Sequence, residues 1–251
     1  MKKLILKNIV QTLAAIGFLL VVWFITYFSV GNELLVPALP DSLKEMGELL
    51  AKGAFWKAFS MTLLRTLWAF AISFVFALIF AVIAYMVPAF ANFFAPLVSA
   101  LRSIPVLAVL LILLSFFGAA EAPVAVAFLS LFPMLYAGIL AALSGVDKHL
   151  IEVSRVCGTP THRRVTAIYL PLASPYVLRE AGAALSFALK VVVSAEVLAN
   201  TAKSLGGMMQ QARIYAEIPQ LFALVSVAFL VGLLLETLVS ILALAVEKKI
   251  K

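Results

Sequence analysis

Residues 66–101 contain no Asp, Glu, Lys or Arg. A charge-free apolar run of 36 residues has no place in the core of a water-soluble domain, whereas about 20 such residues suffice for an α-helix to cross the roughly 30 Å hydrocarbon layer of a bilayer. The solvent this run requires is lipid. The rest of the chain agrees: of its 251 residues 65% are hydrophobic and 12% charged, while a soluble domain carries about 25% charged residues. The apolar runs are continuous rather than alternating, which excludes a membrane β-barrel. The expectation is an all-α integral membrane protein, with residues 1–251 forming a single transmembrane domain.

Charge-free windows of spanning length, divided at prolines that a helix interior does not tolerate well, predict six spans, over about 9–30, 66–87, 97–117, 124–143, 181–199 and 221–246. Pro88 and Pro96 separate the second span from the third, and Gly118 ends the third. The N-terminal run is longer than the 7–15 residues of a secretory signal core, so it reads as a retained span. Between the first two spans, Pro40, Asp41 and Ser42 open a predicted surface helix with Leu43, Met46, Leu49 and Leu50 on one side. The most polar stretch is 144–180.

Six spans put both termini on one side of the membrane. Lysine and arginine concentrate in cytoplasmic loops. With basic termini placed inside, 12 Lys and Arg fall on the cytoplasmic side, Arg102 among them, and 6 on the outside, Arg65 among them. The net charge of +7 is then explained by topology, without a nucleic-acid partner. The single cysteine, Cys157, forbids an intrachain disulfide, and His149 and His162 have no metal-ligand company. The expected location is the cell membrane, multi-pass, with the lipid bilayer as constant partner.

Besides Arg102 near the start of the third, three charges fall inside predicted spans: Lys190, Glu196 and Glu236. A charge near mid-bilayer costs at least about 2.5–3.5 kcal/mol on insertion scales, so it faces protein or water. These residues are candidates for a translocation pathway or gate, the alternative being an internal ion pair that fixes helix packing. Lys190 and Glu196 are six residues apart, so one straight helix does not make them partners.

The polar stretch carries a pattern. Glu152 is followed by five residues and Gly158, then by nine residues and Ile168, Leu170 and Pro171. Asp147 can cap a short helix, Gly158 can end it in the left-handed conformation, and a second short helix is expected to run to Leu170, ahead of Pro171. The product is a helix–glycine–helix elbow projecting from the membrane.

This E-x5-G-x9-I-x-L-P segment resembles the EAA loop of importer permeases in the ATP-binding-cassette (ABC) superfamily, with Val153 and Ser154 in place of its two alanines. Further pieces resemble the nitrate, sulfonate and taurine group of those permeases. They are Val36 to Pro40, the T-L-x-R of Thr62 to Arg65, the R-x-I-P of Arg102 to Pro105 with Phe117-Gly118, and Ala195-Glu196 followed by Gly206-Gly207. The resemblance implies the type I importer permease fold, with a coupling-helix loop at 144–180. It also implies an ATPase contact at Glu152, Gly158, Ile168, Leu170 and Pro171. The implied partners are an ABC ATPase subunit, an extracytoplasmic substrate-binding protein and a second permease copy. No G-x4-G-K-[ST] phosphate loop is present, so ATP is expected on the partner subunit, and the chain is expected to be a transport subunit without cofactor or catalytic site. The rivals are an ion-coupled secondary transporter using Lys190, Glu196 and Glu236, and a membrane enzyme, for which no catalytic cluster is found. A sulfonate, nitrate and a pyrimidine vitamin precursor all stay open as substrates.

Overall fold

The computed structural model describes residues 17–18, 20–33, 35–164 and 168–250. Most of the predicted first span therefore lies outside the described residues, and its remainder is the helix α1, Leu20–Val30. Next along the chain come α2 (Leu39–Ala51), α3 (Gly53–Met86), α4 (Pro88–Ser103), α5 (Val106–Ser144), α6 (Lys148–Val156), α7 (Thr161–Arg164), α8 (Leu170–Ala199), α9 (Leu205–Ile214) and α10 (Ile218–Ile250). Among the described residues, α3, α5, α8 and α10 are each long and apolar enough to cross a membrane.

The 39 residues of α5 are too many for one crossing, and the run is broken at Gly118, where φ is 71° and ψ 175°. That combination is essentially reserved for glycine. The chain reverses there. Arg102 Nη2 donates to the carbonyl of Pro133 (3.1 Å), and Val109 and Val126 line one cavity, although in a straight helix those two valines would be about 25 Å apart. Residues 106–117 and 119–144 are thus the two legs of a hairpin whose tip is Gly118.

Helix ends differ from three of the predicted span boundaries. The helix that carries the predicted second span is longer than that span: α3 begins at Gly53, and Arg65, counted outside it, is neutralised inside the bundle (below). The third span is not one helix. Ile104 is extended (φ −75°, ψ 127°), as a residue before proline prefers to be, so Pro105 divides α4 from the first hairpin leg. The helix that carries the predicted fifth span starts before 181, at Leu170. Pro171 lies in the first turn of α8, where its missing N–H costs nothing, rather than stopping the helix before it. Arg179 and Glu180 therefore lie on the helix, and Arg179 is neutralised by Glu247 of α10 (2.6 Å). On α2, Leu49 is buried, but Leu43 and Leu50 are exposed, so the predicted apolar grouping splits over two faces.

Helix α8 is the centre of the bundle: 56% of its most apolar window is buried, against 17–28% for the other three long helices. Small residues make this packing close. After Phe55, the buried face of α3 reads Ala58, Thr62, Thr66, Ala69, Ser73, Ala77, Ala81 and Ala84, a three-and-four spacing that presents one smooth stripe. The second hairpin leg answers with Val126, Leu131, Leu135 and Ile139, all buried. On the other flank, a Cβ on Gly182 would sit 3.2 Å from Val239 Cβ, and one on Gly232 would sit 3.4 Å from Ser186 Oγ, so these glycines set how near α10 approaches α8. The bundle has two ends: one holds α6 and α7, the other the hairpin tip, α2 and α9.

Candidate functional site

The elbow is built from local signals. The backbone N–H of His149 donates to Asp147 Oδ1 (2.9 Å), which caps α6. The helix closes with Cys157 N donating to Val153 O and Thr159 N to Ser154 O, both at 3.0 Å, and with Gly158 at φ +69°. That is the six-to-one closure of a Schellman turn. Glu152, Val153, Val156 and Gly158 are exposed, while Ser154 is buried. Val156 is 89% exposed, an apolar side chain held out at the tip of a short helix. The motif positions alone do not single out Val156. The signal available in the sequence is its place three residues after Val153 on the same face.

The far part of the motif is the elbow's root. Ile168 and Tyr169 pack against the main core, with the Tyr169 ring edge-on to Tyr85 at 5.3 Å. Leu170 and Pro171 open α8. A cavity of about 710 Å³ lies under the elbow, lined by Asp147, Tyr176, Arg179 and Glu180 among others.

Lys190, Glu196 and Glu236 do not form one site. Glu196 is 0% exposed and its carboxylate is enclosed. Its Oε1 accepts from Arg65 Nη1 (3.0 Å). Its Oε2 accepts from Thr62 Oγ1 (2.8 Å) and from the backbone N–H of Gly206 (3.2 Å). Thr62 Oγ1 in turn accepts from Leu205 N (2.9 Å). Arg65 Nε donates to Ala120 O (3.1 Å), and Thr201 Oγ1 to Ala119 O (2.7 Å), so the hairpin tip is tied in as well. Any side chain on Gly206 would strike Glu196 and come within 2.6 Å of Val193 O. This node joins α3, α8, α9 and the hairpin tip by the charge-assisted bonds that a buried carboxylate requires. Its geometry is that of the packing ion pair. Sequence reasoning missed Arg65 as the partner, although the T-L-x-R and A-E…G-G fragments are the two halves of the node.

Lys190 and Glu236 are exposed on the bundle surface, within the long apolar helices α8 and α10. Lys190 lines a cavity of about 290 Å³ with Val106, Leu110, Val126 and Ser194. Arg102, counted in the sequence on the cytoplasmic side near the start of the third span, lines a cavity of about 320 Å³ beside Pro133.

Residues 73–251 match the family described as the inner membrane component of binding-protein-dependent transport systems. A probable ABC transporter permease protein of Brucella melitensis is 31% identical over 144 residues, which is 57% of this chain and 58% of that protein. The putative aliphatic sulfonates transport permease protein of Bacillus subtilis is 30% identical over 149 residues, 59% of this chain and 53% of that one. The matched stretch thus spans little more than half the length of these curated relatives. In three dimensions the chain is similar to an amino acid ABC transporter (TM-score 0.65, 21% identity, 76% of this chain and 92% of the other). It is also similar to the MetNI methionine ABC transporter in an inward-facing conformation (TM-score 0.62, 21% identity, 80% and 97%).

Proposed function

We propose, from the premise that this chain belongs to the family of binding-protein-dependent transport system inner membrane components, how its parts divide the work of an ATP-driven importer. The chain is a multi-pass inner-membrane ABC permease with the type I importer fold. The elbow end is the cytoplasmic end. Moving Arg65 and Arg102 out of the loop tally leaves 11 basic residues on that side against 5 on the other, which keeps the bias. There an ABC ATPase subunit receives α6. ATP binds to that subunit, since this sequence has no phosphate loop. A substrate-binding protein delivers a small solute at the opposite end, over α2, α9 and the hairpin tip. A second permease copy covers the face on which Lys190 and Glu236 stand exposed, because charges at that depth cannot face lipid cheaply.

The observation that carries the coupling is the elbow. A capped helix of nine residues holds Glu152 and two bare valines outside the bundle, while Ile168 roots it in the core beside α8. When ATP draws two ATPase subunits together, a force on α6 passes through this root to α8, the central helix. Glu152 can accept charge-assisted bonds from basic or backbone donors of the ATPase. Val156 supplies the apolar contact. Pull-down of the ATPase, with uptake and hydrolysis measured together in proteoliposomes, tests this. Glu152→Ala and Val156→Asp are expected to lose association or to uncouple hydrolysis from uptake while the permease stays inserted. Unchanged association, hydrolysis and uptake in both variants would overturn the assignment.

A further inference from the structure

Resting on the transport reading above, we propose that Arg102 and Lys190 form a two-station cationic track that selects negatively charged solutes along the open face of the bundle. The cavities that the two residues line share Val106, Val126 and Phe187, so they are adjoining parts of one groove. Among the described residues no Asp or Glu lines either cavity, and Lys190 has no hydrogen-bond or ion-pair partner. Arg102 donates one bond, to Pro133 O, out of the five N–H donors of a guanidinium.

Lys190 lies nine residues before the end of α8 at Ala199, about 14 Å of helix. That is farther than a lysine side chain can snorkel to reach the headgroups, so its charge stays at depth. Pro133, which marks the level of Arg102, is seven residues beyond Val126, which lies at the level of Lys190. The two cations are thus staggered by about 10 Å along the second hairpin leg. Between them the walls are apolar apart from Ser130 and Ser194, and weakly polar walls strengthen the field of a charge. An anion entering this groove meets one cation and then the other, with hydroxyls to accompany it. A cation of the same size meets repulsion at both levels. Glu236 stands outside both linings; its carbonyl lies against Gly182, eight residues of α8 from Lys190 toward the elbow.

The test uses the assembled permease–ATPase complex in proteoliposomes, with Cys157→Ser removing the only thiol of this chain and the complex without an introduced cysteine as the background. Ser194→Cys or Ser130→Cys then places a probe in the groove. The probes are the anionic 2-sulfonatoethyl and the cationic 2-(trimethylammonio)ethyl methanethiosulfonates, each rate divided by its rate with a free small thiol. The anionic reagent is expected to be preferred by about tenfold or more, the effect of a focused field on encounter rates. Lys190→Met should abolish the preference at position 194 and Arg102→Met at position 130. Lys190→Arg should retain it, and Glu236→Gln should not lower it. Retained ATP hydrolysis shows that each variant is assembled. Equal normalised rates for the two reagents would overturn the charge selection and leave the transport reading standing. If neither reagent reacts in any nucleotide state of a hydrolysing complex, the groove is not water-lined, and both the track and the pathway assigned to this face fail.

Discussion

Among the described residues, Arg65–Glu196 and Arg179–Glu247 join distant helices, one pair at each end of the bundle. Arg65 and Glu196 meet at 3.0 Å with side chains 11% and 0% exposed. Arg179 and Glu247 meet at 2.6 Å with side chains 50% and 31% exposed. The shorter contact is the weaker one. In water-facing surroundings an ion pair contributes about 0–1 kcal/mol, whereas a buried carboxylate left without its partner costs about 3–5 kcal/mol. The difference matches the two tasks proposed above for the two ends. The end that holds Glu196 is closed within one chain, with bonds running among α3, α8, α9 and the hairpin tip. The end that holds the elbow leaves Val156 and Glu152 exposed, as the coupling role proposed above requires.

The largest effect is expected at the closed end. Glu196→Ala leaves Arg65 and Thr62 without their shared acceptor, and Arg65→Ala leaves the carboxylate without a cation. Each is expected to lower stability by about 3–5 kcal/mol, read as loss of monodisperse protein on detergent gel filtration and a large drop in Tm. Replacing both residues by methionine removes the uncompensated charge and should restore much of that loss. If either single variant kept the wild-type Tm, the contrast between the two ends would collapse. Gly206→Ala attacks the same node by sterics, since its Cβ would come within 2.6 Å of Val193 O, and should also destabilise.

At the open end the effect moves from stability to coupling. Gly158 has φ +69° and no atom within 4 Å of where a Cβ would stand. A substitution there meets no neighbour, only the backbone cost of the left-handed conformation, about 1–2 kcal/mol. Gly158→Val is expected to unwind the end of α6 and weaken ATPase association, while Gly158→Asn, which tolerates that conformation, retains it. Equal binding by the two variants would show that the helix end is not what the partner reads. Glu152→Ala should be gentler still on the fold, within about 0.5 kcal/mol as expected of an exposed site, with uptake per ATP reduced.

The elbow is legible in the sequence and the node is not, for a physical reason. Asp147, Gly158 and Pro171 act on the backbone within a few residues of themselves, so their order in the chain carries the structure. Even there Pro171 misleads, because whether a proline ends one helix or begins another depends on the residues on its C-terminal side. Arg65 and Glu196 are 131 residues apart. Nothing local in either segment says that they meet, and an acid in an apolar helix reads as a pathway residue until its cation is found. The usable clue is a mismatch: α8 holds a carboxylate that must be satisfied in lipid, and Arg65 stands at the margin of a charge-free run. The hairpin is half legible. Gly118 marks its turn, but the break at Pro105 and the depth of Arg102 emerge only when the two legs are laid side by side.

The smallest effect sharpens the comparison most. Arg179→Ala removes a bond of 2.6 Å, which a reading by distance alone would rank above the Arg65–Glu196 contact. Arg179 is half exposed and Glu247 nearly a third, so water and salt replace the partner when it is lost. The expected change in stability is below about 1 kcal/mol, and it should shrink further at 1 M salt, where the Debye length falls to about 3 Å. The Arg65 variants should show no such relief, because salt does not reach a carboxylate that is 0% exposed. The measurement is Tm in detergent at low and high salt for Arg179→Ala and Arg65→Ala side by side. A salt-independent loss of several kcal/mol from Arg179→Ala would mean that the elbow end is as tightly bolted as the other. The division between a closed end and a coupling end would then have to be abandoned.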